Sequence, residues 1–148
     1  MFQSSKPQLM MGNHIIVQAA IDAGAKIMFG YPITPTTEIL SQWAKIAEKP
    51  ESGLQIIQTE DETSAGFGVC GAVLGGVRAF TATAGPGTIL MQDPIAMAEG
   101  LRLPFVGVIS QRGGPSTGTV IYSQQEVNQG CFGANGESLR LVYAPANL

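Results

Sequence analysis

The strongest constraint on the fold is an alternation in hydrophobic pattern. Short apolar runs at 26–29, 54–58, 77–83 and 104–110 give way to Gly, Pro or polar residues. Between them lie longer stretches with helical character at 13–23, 36–48, 60–75 and 88–100. In 36–48, Ile39, Leu40, Trp43, Ile46 and Ala47 share one face, as an amphipathic helix requires. The stretch 60–75 is built from small residues instead, and Pro94 marks a kink or a second start within 88–100. Gly24 suits the end of the first helix, and 50–53 reads as a turn. A short helix at 123–130 and a fifth strand at 139–143 complete the pattern. This alternation predicts an α/β fold: an open, mostly parallel sheet with helices on both faces. Residues 1–11 are expected to form a flexible arm and 12–148 a single domain. Pro145-Ala146-Asn147 reads as the start of another connection, so that domain is expected to be incomplete.

Open parallel sheets bind ligands beyond the carboxyl ends of their strands. Four segments are expected there: 30–35, 59–62, 84–87 and 111–118. In the first, two prolines flank Thr34 and hold its hydroxyl stiffly, which suits a ligand or simply an ordered loop with Thr36 as helix cap. The second, Thr59-Glu60-Asp61-Glu62, has the form of a capping box with Thr59 as cap. Its alternative reading is a buried, proton-active carboxyl. Glu62 is followed by Thr63, Ser64, Ala65 and Gly66, small enough for a flat ring to approach. The third, Thr83-Ala84-Gly85-Pro86-Gly87, is a tight turn or a close backbone approach to a ligand. The fourth contains Arg112 beside Gly113 and Gly114, a carboxylate fork or a surface arginine.

Composition narrows the function classes. Eight basic and eleven acidic residues give a net charge of −3 with no basic stripe, which argues against nucleic acid. His14 is the single histidine, so no histidine triad or multi-histidine metal site is expected. Cys70 and Cys131 are far apart, which fits a reducing, cytoplasmic setting and leaves no cluster or zinc motif. Residues 1–11 lack the apolar core of a signal peptide, and no apolar run reaches the length of a membrane span. Charged residues make up only 13% of the chain, while 19 residues are Gly. Both values suggest a surface that meets partners or ligands. Gly66, Gly68 and Gly71 spell G-x-G-x-x-G, but acids precede them where a pyrophosphate motif needs a strand end. Close helix packing, against a partner subunit among others, is the expected reason for these glycines.

Taken in order, four sequence words carry a resemblance. They are Gly30-Tyr31-Pro32-Ile33-Thr34-Pro35, Glu60-Asp61-Glu62, Thr81-Ala82-Thr83-Ala84-Gly85-Pro86-Gly87 and Gln111-Arg112-Gly113-Gly114-Pro115-Ser116-Thr117-Gly118. Over 12–147 the chain resembles the alpha subunit of 2-oxoacid:ferredoxin oxidoreductases, in the region that binds the pyrimidine half of thiamine diphosphate. The resemblance implies that Glu62 bonds the pyrimidine N1′ and favours the tautomer whose nitrogen takes the thiazolium C2 proton. It implies that Thr34 lies near the substrate's carbonyl and carboxylate, and that Arg112 pairs with the 2-oxoacid carboxylate. Pro32, Ile33, Gly85 and Gly87 would shape the cofactor pocket. It also implies oxidative decarboxylation with coenzyme A, with electrons passed to ferredoxin. A beta subunit would supply the diphosphate half with Mg2+, iron–sulfur clusters would sit on partner subunits of beta or delta type, and further subunits would be of gamma or delta type. No metal ligand is expected in this chain. Thr119-Val120-Ile121-Tyr122 and Asn135-Gly136-Glu137 depart from relatives acting on 2-oxoglutarate. They leave 2-oxoglutarate, pyruvate and branched-chain oxoacids open. Two rival readings are a non-oxidative thiamine-dependent lyase or decarboxylase and a catalytically silent assembly module.

Overall fold

A computed structural model describes residues 9–137 and 139–146. Most of the expected arm, 1–8, and Asn147 of the expected onward connection lie outside these residues. The order of elements is α1 (Gly12–Asp22), β1 (Ile27–Gly30), α2 (Thr37–Ala47), β2 (Gln55–Gln58), α3 (Glu62–Leu74), β3 (Ala79–Ala84), α4 (Pro86–Leu90), α5 (Gln92–Gly100), β4 (Gly107–Ser110) and α6 (Glu126–Phe132). The four strands form one parallel sheet in the order β2-β1-β3-β4.

That order positions the site. From β1 the chain crosses one way to β2, then returns past β1 to β3. Right-handed crossovers therefore place α2 and α3 on opposite faces of the sheet. The strand order reverses between β1 and β3, so their carboxyl ends border the crevice of the sheet.

Alternating side chains feed two cores. Met28 and Phe80 point to the face covered by α1 and α2, where they pack with Val17, Ile39, Leu40 and Trp43. The Trp43 and Phe80 rings meet edge to face with centroids 5.1 Å apart, a pairing worth about 1 kcal/mol beyond area burial. Trp43 Nε1 donates to the Gln55 carbonyl at 2.8 Å, which ties α2 to the edge strand β2. Phe29 and Ala79 point to the other face, against Ala65 and Val69 of α3. Here the small residues bring elements close. A Cβ on Gly66 would overlap Pro94 of α5, and one on Gly68 would overlap the Phe29 ring. Two of the three motif glycines thus serve packing inside the chain rather than against a partner, whereas a Cβ on Gly71 meets nothing within 4 Å.

Several local expectations need correction. Asp61, not Thr59, caps α3: its carboxylate accepts the Ser64 N–H at 2.7 Å. The Thr59 hydroxyl donates to the Asp61 carbonyl instead. Thr36 precedes α2, but its hydroxyl donates back to the Ile33 carbonyl at 2.7 Å and caps no helix N–H. The stretch 88–100 is two helices, broken at Met91, with Pro94 in the first turn of α5, where its missing N–H costs nothing. No fifth strand forms among the described residues of 139–143. Leu139, Leu141 and Tyr143 are largely exposed, and Arg140 instead ties this segment to α5 through Glu99 at 2.7 Å. A strand needs a neighbour for its backbone N–H groups, and this segment pairs with none of the four strands. Gly24, with φ of +84°, follows the last residue of the α1 cap, as expected.

The two cysteines differ in setting. Cys70 is buried on α3 with its thiol 3.6 Å from the Pro94 carbonyl, while Cys131 is exposed on α6.

Candidate functional site

All four expected segments lie at the carboxyl edge of the sheet, because every strand runs the same way. They divide into two clusters, one around Glu62 and one around Arg112.

Glu62 is the first residue of α3 and is 4% exposed. Burial pushes its carboxyl above the ordinary value, and the neighbouring Asp61 charge adds to the rise. Hydrogen bonding and the Arg112 charge oppose it. The Thr83 hydroxyl at the end of β3 donates to Glu62 Oε1 at 3.5 Å. Gly87 closes the cluster from α4: a Cβ there would overlap both the Thr83 hydroxyl and the Glu62 carboxylate. The carboxyl is therefore held on a fixed scaffold, mostly dry and able to keep a proton at higher pH than a surface glutamate.

Arg112 follows β4 and is 5% exposed. Its Nη1 donates to the Thr34 carbonyl at 3.0 Å, which joins the loop after β4 to the loop after β1 across the sheet. Its Nε is buried and has no partner. A buried guanidinium with an unfilled donor favours an anion arriving from outside the chain. Gly85 makes room for it: the glycine has φ of +50°, and a Cβ there would lie 2.6 Å from Arg112 Nε. A side chain at position 85 would be strained in backbone and would displace the guanidinium.

The structure thus brings Glu62 together with Gly87, and Arg112 with Gly85 and the Thr34 backbone. The Thr34 side chain is exposed, so the loop's carbonyl rather than its hydroxyl holds Arg112. Pro32 is exposed and Ile33 half-buried, with the Ile33 carbonyl engaged by Thr36. Sequence reasoning missed Thr83 as the partner of Glu62, and Thr88, a buried hydroxyl without a partner one residue after Gly87. It also missed Glu126, buried at the start of α6, whose two oxygens accept the Arg112 backbone N–H at 3.2 Å each. No spacing rule links Glu126 to Arg112, whereas Thr83 could have been found by its place on a strand end beside Gly85 and Gly87.

Among the described residues no cluster of three or more His, Cys, Asp or Glu side chains could hold a metal ion. No described helix is long and apolar enough to cross a membrane. A cavity of about 640 Å3 opens at the opposite edge of the sheet, beside Ala25, Val77, Arg78 and Val106. Apart from Arg78 its lining is apolar, and it lacks a carboxyl or hydroxyl.

Comparison with known proteins agrees with the geometry. Residues 18–147 match the family described as pyruvate flavodoxin/ferredoxin oxidoreductase, thiamine-diphosphate-binding. The chain is 42% identical over 144 residues to 2-oxoglutarate synthase subunit KorA of Methanocaldococcus jannaschii, covering 97% of this chain and 39% of that protein. It is 37% identical over 142 residues to ketoisovalerate oxidoreductase subunit VorB of Methanothermobacter thermautotrophicus, covering 95% of this chain and 40% of that protein. The solved structure of 2-oxoglutarate:ferredoxin oxidoreductase from Magnetococcus marinus, with 2-oxoglutarate, coenzyme A and succinyl-CoA bound, superposes with a TM-score of 0.81 at 34% identity. That match covers 93% of this chain and 25% of the other. The chain therefore spans about two fifths of the length of these curated relatives. With a match that runs through both clusters, the chain belongs to the thiamine-diphosphate-binding family of pyruvate flavodoxin/ferredoxin oxidoreductases.

Proposed function

We propose that this chain is the pyrimidine-binding domain of a 2-oxoacid:ferredoxin oxidoreductase alpha subunit. In the assembled enzyme it takes part in oxidative decarboxylation of a 2-oxoacid with coenzyme A, and the electrons pass to ferredoxin. The observation that carries the reading is the Glu62 carboxyl, buried beside Thr83 and Gly87 with its proton affinity raised.

The residues fit a thiamine ring. Gly87 lets the α4 backbone lie directly against the Glu62 carboxyl, where any larger residue would overlap it. When bound, thiamine diphosphate supplies a carbon nucleophile able to stabilise the charge left by decarboxylation. Glu62 holds a proton against the ring nitrogen, and Thr83 orients the carboxyl. Burial keeps competing water away from that proton. Arg112 meets the substrate carboxylate with its guanidinium, which Gly85 and the Thr34 carbonyl aim. Pro32 and Ile33 form the adjoining wall on the loop after β1.

The diphosphate end of the cofactor needs Mg2+ and further ligands, which this reading assigns to a beta subunit. Iron–sulfur clusters are assigned to partner subunits of beta or delta type, with gamma- or delta-type subunits as further partners.

Glu62→Gln in the full-length, assembled complex tests the assignment. Turnover of 2-oxoacid is expected to fall by about 100-fold or more, in the range of general acid–base catalysis. Wild-type turnover in that variant overturns the catalytic role and leaves the assembly-module reading in its place. Loss of ferredoxin reduction with decarboxylation retained would instead favour the non-oxidative reading.

A further inference from the structure

Arg112 lies in a loop, yet its backbone is held as firmly as a strand. The segment 121–126 engages nearly every polar backbone atom around it. The Arg112 N–H is accepted by both carboxylate oxygens of Glu126 at 3.2 Å. The Arg112 carbonyl accepts the Ser123 hydroxyl at 3.2 Å. The Gly113 N–H donates to the Ile121 carbonyl at 2.6 Å, and the Gly114 N–H to Gln125 Oε1 at 2.6 Å. Glu126 is 6% exposed and makes no ion pair with the Arg112 side chain. A buried carboxylate spent on one backbone N–H, beside a guanidinium that it leaves alone, calls for an explanation other than charge pairing.

We propose that Glu126 is a positioning residue for 2-oxoacid binding: by holding the Arg112 N–H, it directs the guanidinium toward Thr34, at the carboxyl edge of the sheet where the substrate carboxylate would meet it. This rests on the role proposed for Arg112 above. The physical basis is the direction of the side chain. An arginine reaches its ligand through four rotatable bonds, so a small rotation of its backbone moves the fork far from its target. Charge-assisted acceptance by two oxygens fixes that rotation better than a neutral contact. Because Glu126 makes no ion pair with the guanidinium, the Arg112 charge stays available to an incoming anion. Ser123 and Gln125 complete the hold on the same turn of chain.

The experiment uses the full-length alpha subunit in its assembled complex. Glu126→Ala, Glu126→Gln and Ser123→Ala are each made in the wild-type and Arg112→Ala backgrounds. The readouts are KM for the 2-oxoacid, kcat, and affinity for thiamine diphosphate. Glu126→Ala is expected to raise KM about tenfold with cofactor affinity unchanged, in line with misplacement of a binding group. Glu126→Gln keeps one acceptor oxygen and is expected to recover most of that loss. In the Arg112→Ala background none of the three should raise KM further. An unchanged KM in Glu126→Ala overturns the proposal, as does an equal added rise in both backgrounds. Should the alanine variant fail to assemble, the same test falls to Glu126→Gln. A small KM rise that disappears without Arg112 supports the proposal, and one that persists overturns it. A normal KM in Arg112→Ala alone overturns the substrate role of Arg112 and the positioning role with it. A raised KM there with no effect at Glu126 overturns the positioning role only.

Discussion

Glu62 and Arg112 are both nearly buried and both sit just past a strand, but they are held in opposite ways. Glu62 stands on the first turn of α3, a helix of 13 residues, and its partner Thr83 belongs to a fully buried strand. Its position follows from regular structure. Arg112 stands in a loop, and its direction depends on the Thr34 carbonyl, 78 residues away, and on side chains of 123–126. A group held by regular structure tolerates sequence change around it, whereas a group held by loop contacts depends on each contact. With the roles proposed for the two residues, the difference teaches that proton chemistry would be built into the fold and anion recognition onto it.

Substitution at the two charges should separate these jobs most clearly. Arg112→Ala in the assembled complex is expected to raise KM for the 2-oxoacid by about 10- to 100-fold, the cost of an anion left without its donor. Thiamine diphosphate affinity should change little, in contrast to the kcat loss expected for Glu62→Gln. The comparison breaks if Arg112→Ala loses cofactor binding and keeps its KM.

Gly87→Ala probes the regular side. Its Cβ would overlap Glu62 and Thr83, so one of them must move. A loss of about 1–3 kcal/mol in stability is expected, together with weaker cofactor binding, as for overpacking in a fixed core. Thermal unfolding and cofactor titration of the same sample check both. Wild-type values for both would show that the cradle yields and is less rigid than the contacts imply.

A pH series sharpens the same point. Burial raises the Glu62 pKa from its ordinary value of 4.5, so the folded chain pays to ionise it. Between the unfolded and folded values the folded state binds more protons, and stability falls as pH rises. The cost is fully present above the folded value and absent below about 4.5. Glu62→Gln should therefore melt higher than wild type at neutral pH, with the gap closing as pH falls toward 4.5. A gap independent of pH would assign the change to packing. The smallest effect is expected at Gly71, on α3 with open space at its Cβ. Gly71→Ala should stabilise by about 0.5–1 kcal/mol through the helix backbone alone, with activity intact.

Much of this was legible in the sequence because regular elements write themselves as periodicity. The apolar runs at 26–29 and 77–83 and the face of Leu40 and Trp43 announced the parallel sheet and its first core. The same alternation put all four candidate segments at one edge. What stayed hidden depends on contacts without a period. Thr59 and Asp61 both offer oxygens before α3, and only the backbone geometry decides that Asp61 is the cap. Leu139, Leu141 and Tyr143 alternate like a strand, but the segment pairs with none of the four strands and these side chains stay exposed. Glu126 follows Arg112 by 14 residues across an irregular loop, a separation that no helix or strand rule connects. The two glycine positions that matter most, Gly85 and Gly87, were legible as a turn, but not which charge each one makes room for.

The contrast between the two cysteines gives the domain a built-in reporter. Cys70 is buried under Pro94, and burial pushes its thiol above the usual range, so it stays protonated and unreactive toward alkylating reagents. Cys131 is exposed on α6, the helix that begins with Glu126. A thiol-reactive fluorophore will therefore mark this domain at one place, on the element that supports the Arg112 loop. A label there sits on the helix that begins with Glu126, without engineering a cysteine into the domain.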